Sequence, residues 1–404
     1  MLPSNKRLKP MQKDTVRPVL RQQSWLVSIS ALLASVALLT AGTNLQGVLL
    51  PIHRQLEGAS MQQIGLLSSG WSSGFVLACL IIGRLVSSVG HVRCFAGLAA
   101  VSGVAALLLL PLDEDITWIV LRVIIGFCFG GLLIIIESWL NECCGNDRRG
   151  RIFAAYMTVS LLASLGGTLC LTFFNPMQAL PYTIMGIAVV LSIVPVTLIP
   201  APLPQPIEPF SIKLMALYRV SPTGVFGCFA VGLASGALGG LLPAYGLSMG
   251  LSTQAVAVLL AATLVGGALA YYPAGALSDH IDRRIVIIAL SCLSATVCGL
   301  IILHPSLPLY GVLLAVGGLG FCIYPLYGIC VSLTNDRVQE QSFSEVASEL
   351  LIIFGGGNAF GPPLAVVVME HNARYLFLYT GIILLLLAVF TAVRRRKNHM
   401  WRQN

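Results

Sequence analysis

The amino-acid sequence predicts an all-α integral membrane protein of twelve transmembrane helices arranged as two six-helix, pseudo-symmetric halves. Three observations carry that expectation: a composition too apolar for a water-covered globule, twelve apolar runs of bilayer length, and a repeat relating the first six runs to the last six. Hydrophobic residues make up 56% of the 404-residue chain and charged residues only 10%, whereas a soluble domain averages about 25% charged residues.

A bilayer core about 30 Å thick is crossed by about 20 apolar residues in helical conformation. Runs of that kind occupy 25–51, 62–86, 94–112, 116–140, 150–174, 180–199, 222–246, 253–277, 284–303, 308–333, 344–369 and 374–393. The first follows a basic segment, as a signal peptide core would, but it is too long and lacks a small-residue cleavage site, so it reads as a retained helix. Between the sixth and seventh runs stands Pro200-Ala201-Pro202-Leu203-Pro204-Gln205-Pro206. Proline at that density does not continue a helix. The organisation expected is a cytoplasmic tail over 1–24, a first half over 25–199, a cytoplasmic linker over 200–221, a second half over 222–393 and a cytoplasmic tail over 394–404.

The net charge of +8 is distributed in a way that indicates topology rather than a nucleic-acid partner. Of the 24 Lys and Arg residues, only Arg54 and Arg374 fall in outer loops when both termini are inside. Short basic loops resist translocation, so both termini are expected in the cytoplasm. An acidic run, Asp113-Glu114-Asp115, marks one outer loop. The eleven cysteines include no C-x-x-C pair, and most stand singly in apolar runs; only Cys143 and Cys144 adjoin, in an inner loop. They read as small apolar filler, with no metal site.

Shifting the chain by 192 residues brings Gly47-x-Leu49-Leu50-Pro51 onto Gly239-x-Leu241-Leu242-Pro243. The same shift puts Gly74 on Gly266 and Gly83-x-Leu85 on Gly275-x-Leu277. One glycine match means little among 40 glycines; one ungapped offset serving all three indicates duplication of six helices.

The loop after the eighth helix reads Gly275-Ala276-Leu277-Ser278-Asp279-His280-Ile281-Asp282-Arg283-Arg284. It resembles the G-x-L-x-D-R-x-G-R-R signature of the major facilitator superfamily. The loop after the second helix, with Gly83, Arg84, Ser87, Gly90 and Arg93, is a weaker copy at the repeat offset. Glu137-Ser138-Trp139, Arg149-Gly150-Arg151, Tyr324-Pro325 and Gly361-Pro362 look like the YcaD-type branch of bacterial facilitators, for which no substrate carries over. The resemblance implies a transporter of a small molecule in the bacterial inner membrane. Parallel repeats about an axis along the membrane normal suit alternating access to a midplane site. It also implies that Asp279 closes a cytoplasmic gate against the start of the fifth helix, beside Arg149 and Arg151, where N–H groups and the helix dipole favour a carboxylate. Ser87 replaces the acid in the first copy, so an asymmetric gate is expected. The alternative is a solvated turn of topogenic charge.

An intramembrane charge needs a partner or a function, and few occur. Arg122 and Glu137 share the fourth helix roughly 22 Å apart at 1.5 Å per residue, too far to pair. Arg122 either attracts an anionic solute group, relays a proton, or snorkels to the outer headgroups. Glu137 is either a boundary residue or a protonatable coupling site. Ser342-x-x-Glu345 is a capping box, which accounts for Glu345; Glu349, one turn deeper, is a second coupling candidate. Polar and aromatic residues inside the apolar runs are pocket candidates: Asn44, Gln46, Trp71 and Asn358, then Tyr324 and Tyr327 beside Pro325, with Tyr271 and Tyr272. Helix packing is the competing explanation for each.

The chain has no H-E-x-x-H or phosphate-binding G-x-x-x-x-G-K-[ST] stretch. No enzyme activity and no cofactor are expected. The expected partners are a small-molecule solute, protons where an acid couples, and membrane lipid, with the protein a monomer. A proton-independent uniporter and a non-transporting sensor are the alternatives.

Overall fold

A computed structural model of the chain describes residues 16–112, 114–143, 149–198, 214–338 and 343–400. The first part of the N-terminal tail, the linker prolines, Asp113, Cys144, Ser342 of the capping box and residues 401–404 lie outside them. Among the described residues there is no strand, and twelve helices are long and apolar enough to cross a bilayer. They are α1 (Val16–Leu56), α2 (Met61–Val89), α3 (His91–Leu108), α4 (Asp115–Cys143), α5 (Arg149–Cys170), α6 (Ala179–Leu191, resumed as Ile193–Thr197), α7 (Pro222–Ser248), α8 (Thr253–His280), α9 (Arg283–Leu303), α10 (Leu309–Asn335), α11 (Phe343–Met369) and α12 (Tyr375–Met400). A short helix, Leu214–Val220, precedes α7.

Two boundaries differ instructively from the sequence expectation. Helices α1 and α7 run past the expected Pro51 and Gly246, by five residues to Leu56 and by two to Ser248, with Pro51 and Pro243 inside them. A proline removes the bond to the carbonyl four residues back, and within a bundle that single loss is tolerated. Arg54, read as a loop residue, therefore sits buried in the last turn of α1. There it pairs with Glu57 at 2.7 Å and with Asp115 of α4, and lies over the Trp118 ring.

The repeat extends to the turns. Gly58 and Gly250 both take positive φ, 89° and 76°, which glycine adopts without steric cost. Two residues on, Ser60 and Ser252 cap α2 and α8 by accepting from the backbone N–H groups of Gln63 and Ala255. Packing repeats as well: α1 lies on α5 and α6 as α7 lies on α11 and α12, α2 on α4 as α8 on α10, and α3 on α6 as α9 on α12. Glycines set the closest crossings. A Cβ at Gly74 would collide with the Val123 carbonyl, one at Gly126 with the Trp71 carbonyl, and one at Gly266 with the Gly317 carbonyl. Small residues of this kind let transmembrane backbones touch.

The halves meet mainly along α2–α11, and α5 faces α8. Among the described residues their cores merge only at the end of the bundle remote from the termini. There Ile64 of α2 belongs to the core of the second half, and Val256 of α8 joins an outer cluster with Leu49, Leu50 and Leu67. The cluster at the terminal end of the first half, which includes Leu32, Phe95, Trp139 and Tyr156, takes no residue from the second. The bundle is closed at the end away from the termini.

Candidate functional site

Between the halves lie two adjoining cavities of about 230 and 450 Å³ that share Asn44, Gly47, Ser235 and Gly239. Gly47 and Gly239 are the repeat-related glycines of α1 and α7. Unlike Gly74 or Gly266, they have no atom within 4 Å of where a Cβ would stand, because the cavity occupies that space. Pro51 and Pro243 stand four residues on, so the carbonyls of Gly47 and Gly239 lack the usual helical N–H donor.

The smaller cavity brings together Asn44, Trp71, Arg122 and Asn358, with Thr43, Ser68, Ser72 and Ser235. Arg122 is 6% exposed, which rules out snorkelling to the headgroups. Its Nε donates to the Leu67 carbonyl at 3.2 Å and its Nη1 to Gln46 Oε1 at 3.2 Å. Gln46 thus holds the arginine. The guanidinium carbon lies 6.0 Å from the Trp71 ring centroid, within reach of a cation–π interaction. Among the described residues Arg122 has no carboxylate partner. The Trp71 ring packs on Phe75 and Phe129, and its buried Nε1 has no hydrogen-bond partner among the described residues. Asn44 Nδ2 donates to the Thr40 carbonyl and to Ser164 Oγ, which ties α1 to α5.

The larger cavity is mostly apolar and aromatic, lined by Leu238, Leu242, Leu260, Leu264, Ile323, Tyr271, Tyr324, Tyr327 and Phe354, with Thr168 and Thr263. Tyr324 and Tyr327 line it together, as their spacing beside Pro325 allows. Tyr272 does not: at 85% exposure it projects from the outer face of α8, one residue and about 100° of helical turn from Tyr271.

Glu137 lines neither cavity. It accepts a 2.9 Å hydrogen bond from the Tyr156 hydroxyl of α5 and lies near Cys79 of α2 and Tyr327 of α10. Its carboxyl therefore sits toward the terminal end, below the aromatic cavity. Glu349 on α11 is 5% exposed and is engaged with a neighbouring group.

Asp279 is 66% exposed at its side chain and pairs with Arg283 at 3.1 Å. Arg283 in turn bonds Ser278 Oγ and pairs with Asp336 of α10 at 2.9 Å, while Asp282 caps α9 and pairs with Arg395 of α12. Arg284 is buried. Among the described residues these charges join elements of the second half, and Asp279 does not pair with Arg151, which is exposed; the Arg149 side chain lies outside the described residues. In the first copy, Ser87 Oγ donates to the Arg84 carbonyl, and Gly90, at φ 92°, makes the turn into α3. Arg93 is exposed at the edge of an apolar groove between α2, α3 and α4. Gly275 has open space around it.

Ser235, Thr263 and Phe354 are cavity residues that the sequence did not single out. A serine, a threonine and a phenylalanine inside apolar runs carry no signal of their own. Gly47 and Gly239 did carry one, as the repeat match, but not as site residues.

Twelve membrane-spanning helices in two equivalent sets of six, around a cavity lined from both, define a multi-pass membrane transporter. The profile of the Major Facilitator Superfamily matches residues 32–332 and 224–404, and the chain belongs to that superfamily. It is 25% identical over 377 residues to the "Uncharacterized MFS-type transporter YcaD" of Escherichia fergusonii, covering 92% of this chain and 97% of the relative. A further uncharacterised MFS-type transporter, from Enterobacter sp. strain 638, is 27% identical over 84% of this chain and 88% of its own. Among solved structures, a nucleoside transporter NupG superposes with a TM-score of 0.76 at 11% identity, covering 91% of this chain and 99% of that one. A bacterial homologue of the human lysosomal transporter Spinster, solved inward-facing and unoccupied, superposes with a TM-score of 0.69 at 14% identity, covering 92% and 97%. At those identities the likeness concerns the fold.

Proposed function

We propose that this protein is a secondary active transporter that moves a small organic solute by alternating access, coupled to protons through Glu137. The observation that carries the reading is the cavity built from both halves around the buried guanidinium of Arg122. A combined space of this size fits a small organic molecule, and a site at the junction of two repeats is exposed to opposite sides as they rock. With the termini in the cytoplasm, as the distribution of basic residues favours, the closed end is external and the conformation faces inward.

Glu137 suits the coupling role because it is half-buried, accepts a hydrogen bond from Tyr156 and lies near Tyr327 of the second half. A carboxyl that is charged when hydrated and neutral when enclosed loads and releases a proton as access alternates. Solute flux into proteoliposomes under an imposed pH gradient, recorded with an internal pH dye, tests this. Gradient-driven accumulation is expected in the wild type, with downhill exchange alone remaining in Glu137→Gln. Accumulation unchanged by that substitution refutes coupling through Glu137.

Asp279 fits a latch that forms when the cytoplasmic end closes and is unmade in the inward-facing state, its carboxylate resting on Arg283. Asp279→Asn is expected to raise the labelling of single cysteines placed in the cytoplasmic vestibule. Equal labelling in the two proteins removes the gate role and leaves the loop a topogenic turn.

A further inference from the structure

Among the described residues the cavity carries one formal charge, and that charge has no counter-ion. Arg122 is the sole Lys, Arg, His, Asp or Glu among the described residues lining the two cavities. Both of its side-chain hydrogen bonds go to neutral oxygens, of Leu67 and Gln46. A buried ionic group is stable when paired, and a guanidinium offers more N–H donors than two neutral acceptors consume. The adjoining indole N–H of Trp71 is a second buried donor without a partner. Arg122 and Trp71 both line the polar cavity, whose adjoining partner is mostly apolar.

We infer that the transported solute is an amphipathic monocarboxylate: its carboxylate is held by Arg122, and its apolar body lies among Leu238, Leu242, Tyr324, Tyr327 and Phe354. This deepens, and rests on, the alternating-access reading above. Guanidinium recognises carboxylate and phosphate alike through paired N–H donors, and charge decides between them. A phosphate monoester carries about −1.5 to −2 at pH 7, more than one arginine neutralises, whereas a carboxylate is matched one to one. An α-amino acid is disfavoured because no Asp or Glu among the described residues lines either cavity to receive its ammonium group. The neutral Gln46 partner has a consequence of its own: it orients the guanidinium without occupying its charge.

The test is binding to the purified full-length protein, by tryptophan fluorescence and thermal shift, of hexanoate and 3-phenylpropanoate. Their primary amides, the corresponding amines and hexyl phosphate serve as matched comparisons. The carboxylates are expected to bind at least about tenfold more tightly than the other three classes, as befits a charge-assisted pair replacing neutral contacts. Arg122→Gln should erase that preference, bringing carboxylate binding down to the level of the amide. Gln46→Glu, close to isosteric, should do the same by supplying the anion from within the protein, and it keeps the test decisive if Arg122→Gln fails to fold. Absence of carboxylate binding, equal binding of amide or amine, a preference for the phosphate, or a carboxylate preference that survives Gln46→Glu overturns the inference. Flux of the same probes into proteoliposomes separates the two readings. Carboxylate preference without wild-type flux supports the binding chemistry and refutes transport of these anions, whereas flux of amide or amine without carboxylate preference refutes the monocarboxylate and leaves alternating access standing.

Discussion

Replacing Gly239 with leucine is expected to abolish solute flux while leaving the protein folded. Gly239 lies where the two cavities join, and no atom stands within 4 Å of its missing Cβ. A side chain added there meets solute rather than protein. Gly239 is also helical and does not take positive φ, so leucine brings no backbone strain. Leucine fills the junction between the polar and apolar ends, and a loss from about tenfold to complete is expected, the scale on which a few added methylenes exclude a bound ligand. Gly239→Ala should retain most of the flux, and Gly47→Leu, the repeat mate, should resemble Gly239→Leu. Flux assays on reconstituted protein, with thermal unfolding of the same preparations, provide the check. Wild-type flux in Gly239→Leu would mean that the solute path runs elsewhere.

The opposite outcome is expected for Gly266→Val. A Cβ at Gly266 runs into the Gly317 carbonyl and stands 3.0 Å from the Phe321 backbone nitrogen. The obstruction is backbone on both counts, so no side-chain rotation relieves it, and α8 and α10 must move apart. Overpacking costs typically about 1–3 kcal/mol, and rigid obstruction puts this site at the upper end or beyond. Against a total stability of about 5–15 kcal/mol, that is a large fraction. Lower yield and a lower midpoint of thermal unfolding in detergent are expected, with Gly275→Val as the contrast. Gly275, nine residues further along the same helix, has nothing within 4 Å, and valine there should leave stability nearly unchanged. Equal midpoints for Gly266→Val and the wild type would refute the close crossing.

These two glycines mark how far the sequence was readable. The match of Gly74 to Gly266 and of Gly47 to Gly239 was visible as one offset, but not that the first pair exists to let backbones touch and the second to leave room. Both pairs look alike in sequence, because a glycine records only the absence of a side chain. The same holds for Arg122. Its rarity in an apolar helix was legible, yet its partners Leu67 and Gln46 lie 55 and 76 residues away in the chain. The reading of Tyr271 and Tyr272 as a pair failed at Tyr272 because adjacent helical residues point in different directions. Arg54 was misplaced because the apolar run stops at Pro51 while the helix continues to Leu56.

By itself the sequence determined the twelve spans, their duplication and the preferred orientation of the charges. Those follow from hydropathy, length and loop charge, each a property of a local stretch of chain against the bilayer. The tertiary structure alone decided which face of each helix meets the cavity and, among the described residues, that Arg122 has neutral partners and no acid and that the cores of the two halves merge at the end away from the termini. Those depend on how helices far apart in the chain are rotated and spaced against one another, and no local stretch of sequence contains that geometry.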